Sequence, residues 1–161
     1  MAHGKYGDSF VLKTIRMLPL EDSIIDRACK ALNGVERSLL VQEAVFAEAS
    51  RLGIRWSARP PPPFVGPWPY LPDRKDKVTE ERTSITISLA LADLLGRCAD
   101  HVGTSEPLFI IGATLAYIGR LQVLFEGTHA DTPEYAKGIK AELQRIKLPE
   151  QYRYRGIRRQ D

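Results

Sequence analysis

Two stretches of this chain carry the same pattern of apolar and polar residues, and this internal repeat constrains the fold more than any other feature. Residues 13–52 and residues 83–121 align along their whole length with a single one-residue gap beside Asn33. The alignment sets Gly34 against Gly103 and matches the apolar positions throughout. Each copy is too short to bury its own apolar face, so we expect the two copies to pack on each other.

Each copy begins with a predicted β-strand. Apolar residues alternate with polar ones over residues 12–18 and 82–88, which is the period of a half-buried strand. A lone strand of this length would leave its backbone groups unpaired, whereas two copies can pair antiparallel about a pseudo-twofold axis. The pattern therefore predicts a mainly α chain with one short two-stranded antiparallel β-ribbon, in which two strand–helix–helix units form an intramolecular pseudo-dimer.

Two helices follow each predicted strand. In the first helices, at residues 21–33 and 89–102, apolar residues recur three and four positions apart, and the glycine after each suits a left-handed helix end. The second helices run to about Leu52 and Leu124. Ser105 is a good N-cap for the later one, while Glu36 is a poorer cap at the matching position.

A proline-rich connector, "SARPPPPFVGPWPYLPDRKDK", separates the two copies, and its proline density excludes helix and sheet interior. We expect its aromatic residues Phe64, Trp68 and Tyr70 to pack it onto the helices; a proline-rich ligand for another protein is the alternative. A short helix bounded by Pro133 and Pro149 should follow the second copy. The predicted segments are a first unit at 10–53, a connector at 54–80, a second unit at 81–126 and a C-terminal helix with a basic tail at 127–161.

Composition and spacing give no support to catalysis. Histidines are scattered, and no paired carboxylates, glycine-rich phosphate loop or nucleophile motif occurs, so we expect neither an enzyme nor a cofactor or metal site. Cys29 and Cys98 match no metal or redox spacing and are expected to be buried free thiols in a reducing cytosol. A net charge of +3 permits a polyanionic partner without requiring one.

Membrane insertion is not expected from this sequence. The first residues lack the basic start and apolar core of a secretion signal. Residues 107–127 form the most apolar segment, but the unbroken apolar run stops at Gly119 and Arg120, which is too short to span a bilayer. A buried core helix is the expected structure of this segment.

The stretches "RTSITISLALADLLGRCADHVGTSEPLFIIGATLAYIGRL" and, less clearly, "LKTIRMLPLEDSIIDRACKALNGVERSLLVQEAVFAEASRL" resemble the ribbon-helix-helix family of DNA-binding proteins, to which Arc and MetJ belong. The resemblance covers about half of the chain. Tandem single-chain members occur among accessory proteins of conjugative plasmid and T-DNA transfer, and this chain looks similar to them. In the family, the outward side chains of the ribbon enter the major groove and contact base edges.

By register, the resemblance implies that base edges are read by six residues: Leu12, Thr14, Arg16, Arg82, Ser84 and Thr86. Arginine can pair with guanine, hydroxyl groups can bond to several bases, and a leucine can touch a thymine methyl. The family also holds phosphates at the start of the second helices, which corresponds to Val35, Glu36 and Arg37 and to Thr104, Ser105 and Glu106. The two glutamates depart from that pattern, because they bring negative charge toward a phosphate.

Further phosphate contacts are expected outside those helix ends. Lys13 falls on the inward side of the first strand but could swing out from a frayed strand start. The basic end "YRYRGIRRQD" is either a solvated tail or a phosphate contact, with Arg155 and Arg158 as its candidates. The complete predicted phosphate set is Lys13, Arg37, Thr104, Ser105, Arg155 and Arg158.

Three roles remain open at the level of sequence. The first is a transcriptional regulator and the second is an accessory factor for plasmid or T-DNA transfer; both bind double-stranded DNA. For them the resemblance allows a homo-oligomer on adjacent sites, contact with a relaxase or other transfer proteins, and a bacterial cytoplasmic location. The third is a protein-interaction adaptor that keeps the fold without binding DNA.

Overall fold

The structure, a computed structural model, describes residues 9–54, 64, 66–74, 81–127 and 131–154. Its elements, in chain order, are β1 (Phe10–Met17), α1 (Pro19–Ala31), α2 (Arg37–Leu52), β2 (Glu81–Ser88), α3 (Leu89–Val102), α4 (Glu106–Glu126), α5 (Glu134–Gln144) and a 3-10 turn (Glu150–Tyr152). The two strands form one antiparallel sheet. The prediction of a mainly helical chain with a single antiparallel ribbon is therefore confirmed.

The strands pair in a register that sets Thr14 opposite Ser84 at the centre of the ribbon. The predicted inward residues are buried, among them Ile15, Ile85 and Ile87. Both strands are longer than predicted: β1 begins at Phe10, which pairs with Ser88, and ends at Met17, while β2 begins at Glu81, which pairs with Met17.

Helix α1 starts two residues earlier than predicted. Pro19 is tolerated in a first helical turn, and the Glu21 carboxylate accepts a hydrogen bond from the backbone N–H of Leu18 at 2.9 Å, which fixes the helix start. At the other end, Asn33 and Gly34 both adopt positive φ angles of 61° and 77°. The one-residue gap in the repeat is thus absorbed as an additional left-handed residue, a conformation that asparagine tolerates better than most residues.

Helices α2 and α4 pack against each other at the centre of the molecule. Strand β2 packs on α2, and strand β1 packs on α4, so each strand lies against the second helix of the other copy. The core is continuous through both copies; its largest fully buried side chains include Met17, Ile25, Leu94, Leu95, Phe109, Ile110, Ile111, Leu115 and Ile118.

Helix α4 is closely covered by segments that lie outside the repeat. A Cβ atom on Gly112 would overlap the carbonyl oxygen of Tyr70 and would lie 2.8 Å from the ring of Trp68. Two turns further along the same helix face, a Cβ on Gly119 would overlap the carbonyl oxygen of Tyr152. The glycines therefore let the connector and the C-terminal 3-10 turn lie directly on the helix.

Two buried carboxylates, Glu48 and Glu21, accept hydrogen bonds from the connector. Glu48 is fully buried, and it accepts hydrogen bonds from Trp68 Nε1 at 2.9 Å, from Arg120 at 2.8 Å and from Arg51 at 2.6 and 2.8 Å. Trp68 also stacks on Phe109, with 4.8 Å between ring centroids. These bonds join α2, α4 and the connector, which confirms that connector aromatics pack on the helices.

A second carboxylate holds the end of the connector. Glu21 accepts two hydrogen bonds of 2.8 Å from Arg74. The carbonyl of Leu71 accepts a bond of 2.9 Å from Gln151 in the C-terminal 3-10 turn. The connector end thus contacts α1 and the C-terminal segment together.

Helix α5 lies between Pro133 and Pro149, where the sequence predicts a C-terminal helix, and its Leu143 is fully buried. Gln122 of α4 donates hydrogen bonds of 2.9 and 2.8 Å to the carbonyls of Leu143 and Ile146. The C-terminal segment is therefore part of the same core.

Within the described ranges, α4 is the one helix that is long and apolar enough to cross a membrane, judged by length and composition. Of its most apolar window, 56% is buried inside the fold. The helix packs against α2, the connector and the C-terminal segment, as expected for a core helix.

Candidate nucleic-acid interface

The outer face of the ribbon is defined by seven side chains that point away from the helices: Phe10, Leu12, Thr14 and Arg16 of β1, and Arg82, Ser84 and Thr86 of β2. All seven are exposed, and no described residue packs over them. Leu12 is 67% exposed even though it is apolar. All six predicted base-contacting residues are therefore brought together on one accessible surface.

Two side chains of α2 hold the free edge of β2. The backbone N–H of Thr86 donates to Ser38 Oγ at 3.0 Å, and the N–H of Ser88 donates to Gln42 Oε1 at 2.9 Å. Since these N–H groups point away from β1, the pairs on the outer face are the non-hydrogen-bonded pairs of the ladder, in which side chains lie closest. Sequence reasoning missed these positioning residues, because polar residues early in a helix also suit solvent.

Arg16 and Arg82 lie directly opposite each other across the ribbon. Both are exposed, and neither has an ion-pair partner among the described residues. Like charges in directly opposed positions of an antiparallel pair repel each other. This end of the outer face therefore presents two opposed guanidinium groups that have no ion-pair partner among the side chains that the structure describes.

At the corresponding edge of β1, no described side chain of α4 accepts a hydrogen bond from the backbone of the strand. Pro107 stands where the repeat places Ser38, so it cannot accept from the strand as the serine does. An open cleft of about 310 Å³ lies here, with Thr14, Ile15 and Ile110 among its lining residues. The two edges of the ribbon are thus built differently.

Lys13 lies in this cleft and forms a 2.8 Å ion pair with Glu106. The expectation that Lys13 sits at a frayed strand start is wrong, because β1 begins three residues earlier and Lys13 is paired with Ile85. A contact between Lys13 and a phosphate requires this ion pair to open. The carboxylate of Glu106 thus contacts the ammonium group of Lys13.

The start of α2 carries a cation in its first turn. Arg37 is half-buried and forms an ion pair with Asp22 of α1. Glu36 is the N-cap and is exposed, and its side chain makes no capping hydrogen bond. The first N–H groups of α2 are therefore not occupied by a cap.

The start of α4, unlike that of α2, has a side-chain cap. Ser105 accepts a hydrogen bond from the N–H of Leu108 at 3.4 Å, which confirms it as the N-cap. Pro107 has no N–H, and Glu106 adds a carboxylate. Thr104 is half-buried, and its N–H donates to the carbonyl of Ala99 at 3.0 Å. This helix end offers fewer free donors than the start of α2.

The remaining predicted phosphate residues, Arg155 and Arg158, lie outside the described residues. Phe10 is a member of the outer face that sequence reasoning missed. It is 40% exposed and lies one alternation before Leu12, so extending the period of two backwards by two residues would have found it.

The two thiols are buried and free. Burial raises the pKa of Cys98 to about 12 and also raises the pKa of Cys29. A thiol with a raised pKa is a poor nucleophile, because the thiolate is the reactive form. In the part of the chain that the structure describes, no three His, Cys, Asp or Glu side chains are grouped so as to hold a metal ion.

Comparisons with family models, with curated proteins and with solved structures find no match for this chain.

Proposed function

We propose that this chain binds double-stranded DNA by inserting its two-stranded ribbon into the major groove, with the two repeat units acting as an intramolecular pseudo-dimer of the ribbon-helix-helix type. The single observation that carries the proposal is the outer face of the ribbon. It combines hydroxyl and guanidinium groups with no covering helix and with no acidic partner among the described residues.

The register supports the pseudo-dimer. Thr14 and Ser84 are equivalent in the repeat, and they also face each other at the centre of the ribbon, where a pseudo-twofold axis would pass. The exchange of partners follows the same symmetry, since β1 packs on α4 and β2 packs on α2. Two equal units related by such an axis would give this arrangement.

The dimensions of the outer face suit a groove. From Leu12 to Arg16 a strand rises about 13 Å, at about 3.3 Å per residue, which corresponds to roughly four base pairs. The major groove, about 12 Å wide, admits a two-stranded ribbon. The threonine, serine and arginine side chains supply donors and acceptors for base edges.

Phosphate binding should differ between the two helix starts. The start of α2 has uncapped N–H groups and Arg37, whereas the start of α4 has a capping serine, a proline and Glu106. Free N–H groups and the helix dipole favour an anion. We therefore infer that the N–H groups of α2 make the stronger backbone contact. Arg37 and Lys13 are both ion-paired, so each meets a phosphate only when its pair opens.

Within DNA binding, the chain would act either as a transcriptional regulator or as an accessory factor in plasmid or T-DNA transfer. One ribbon covers few base pairs, so adjacent copies on DNA, or contact with a relaxase, would extend the bound site. Identification of the genes beside this one separates these roles.

A protein-interaction adaptor is the second candidate. It is favoured by the exposed apolar side chains of Phe10 and Leu12 on the outer face and by the carboxylates of Glu36 and Glu106 near the helix starts. An adaptor would use the same face to contact a protein rather than a groove.

A salt titration of binding to random duplex DNA separates the candidates. A DNA binder releases counterions, so its affinity falls steeply as salt rises, by a slope of about 0.9 per phosphate contacted. An adaptor has no measurable affinity at low salt. The absence of binding at low salt would overturn the proposed function.

A further inference from the structure

The outer face of the ribbon differs between its two ends. At one end Arg16 lies opposite Arg82, and at the other end Leu12 lies opposite Thr86, with Thr14 and Ser84 between them. Phe10 extends the apolar end by one further outward position. One end is therefore doubly cationic, and the other end is apolar apart from the hydroxyl of Thr86 and that of Ser88, which lies opposite Phe10 and caps α3.

The repeat shows why both arginines are at one end. In the alignment, Arg16 corresponds to Thr86, and Leu12 corresponds to Arg82. Each unit thus has one outward arginine, but at opposite ends of its strand. Antiparallel pairing then brings the two arginines to the same end, rather than distributing one to each half of the face.

We propose that this charge asymmetry fixes the orientation of the protein on DNA, with guanine bases under Arg16 and Arg82 and A·T base pairs under Leu12 and Thr86. The proposal rests on the DNA-binding function proposed above and adds the class of target site to it. The site is a short asymmetric sequence with guanine on one side of its centre and thymine on the other.

The chemistry of each end supports this assignment. Arginine pairs bidentately with O6 and N7 of guanine, and the C5-methyl of thymine accepts apolar contacts. In the reversed orientation, Leu12 would face guanine acceptors without a donor, and the arginines would face A·T pairs. Each lost arginine–guanine pair weakens binding by roughly 5- to 150-fold.

The repulsion between the two arginines points the same way. Directly opposed like charges destabilise an antiparallel pair, and no described acidic side chain neutralises these two. Guanine acceptors and nearby phosphates would relieve the repulsion on binding. The apolar end gains nothing comparable from a guanine-rich sequence.

Site selection from random duplex DNA, followed by directed cleavage on the selected site, tests the orientation. A DNA-cleaving chelate is attached to a cysteine introduced as Leu20→Cys or as Leu89→Cys; these residues are 59% and 54% exposed. Leu20 comes just after β1, at the end of the ribbon with the two arginines, and Leu89 comes just after β2, at the end with Leu12. The native thiols of Cys29 and Cys98 are buried and leave the probes selective. We expect the Leu20 probe to cut beyond the guanine side of the site and the Leu89 probe to cut beyond the thymine side.

A charge-neutral exchange provides the second variant. Arg82→Thr combined with Thr86→Arg keeps the composition of the outer face but puts one arginine at each end. We expect the selected site to become nearly symmetric, with guanine on both sides. Retention of the asymmetric site by this double variant would overturn the proposal.

The outcomes separate this proposal from the function on which it depends. A symmetric wild-type site, the lack of any preferred sequence, or equal cleavage on both flanks overturns the fixed orientation and leaves DNA binding standing. A failure to bind any duplex at low salt overturns both.

Discussion

Replacing Gly112 by alanine is expected to displace the connector from α4 and to destabilise the whole fold. The added methyl group would overlap the carbonyl oxygen of Tyr70 and would lie 2.8 Å from the Trp68 ring. Backbone cannot yield as a flexible side chain can, so the connector must move away. Trp68 then loses its stacking on Phe109 and its bond to Glu48.

The magnitude follows from what the connector buries. A tryptophan buries about 150–250 Å², worth about 4–6 kcal/mol at about 25 cal/mol per Å² if it is fully released. Overpacking that is relieved by small shifts costs about 1–3 kcal/mol. Alanine recovers about 1 kcal/mol of helix propensity. Since the overlap is with backbone and cannot be relieved by a small shift, we expect the release of Trp68 and a net loss of about 3–5 kcal/mol in the free energy of unfolding, equivalent to a Tm lowered by about 6–20 °C for a chain of this size.

Gly138→Ala provides the matched control. Gly138 lies in α5, and an added Cβ there meets nothing within 4 Å, so alanine should raise stability by up to about 1 kcal/mol. Denaturant and thermal unfolding followed by circular dichroism measure both variants. If Gly112→Ala proves as stable as Gly138→Ala, the connector does not lie on α4 as described, and the reasoning is refuted.

Three further predictions concern the proposed DNA contacts and the buried thiol of Cys98. Arg16→Ala and Arg82→Ala should each cost about 1–3 kcal/mol of discrimination at guanine positions in competition binding; unchanged site preference in both excludes base contact. Glu106→Gln should tighten duplex binding and steepen its salt slope by about 0.9, because Lys13 becomes free to meet a phosphate, while the distant Glu134→Gln should change neither. Because burial raises the pKa of Cys98 from 9.0 to about 12, the unfolded state loses its thiol proton first as pH rises above 9. The free energy of unfolding should then fall by up to about 1.4 kcal/mol per pH unit from this group, and a slope equal to that of Cys98→Ala would contradict this.

Local patterns made much of the fold predictable. The period of two identified Ile85 and Ile87 as inward residues and left Ser84 and Thr86 outward, and the structure has them so. Gly103 marked a helix end through its left-handed conformation. These features depend on neighbours within a few residues, which is the range that a sequence pattern reports.

Contacts between distant segments could not be predicted in the same way. Gly112 in an apolar helix suggests only a loss of helix propensity, until the connector is placed against it. In the sequence, Glu48 looks like an ordinary helix residue, although its hydrogen-bond partners come from α2, from α4 and from the connector. Lys13 and Glu106 are far apart in the chain, so their ion pair follows from packing rather than from any local signal.

The central claim is that the outer face of the ribbon enters the DNA groove, and one pair of matched substitutions tests it most directly. Ser84 is exposed at the centre of that face, and Ser50 is exposed on α2, about 12 Å along the helix from Gln42, the nearer of the two α2 residues that contact β2. The measurement is the affinity of Ser84→Glu and Ser50→Glu for the same duplex at low salt, with the fold of each verified by circular dichroism. We expect Ser84→Glu to abolish binding and Ser50→Glu to retain nearly all of it; equal affinity of the two variants would contradict the account.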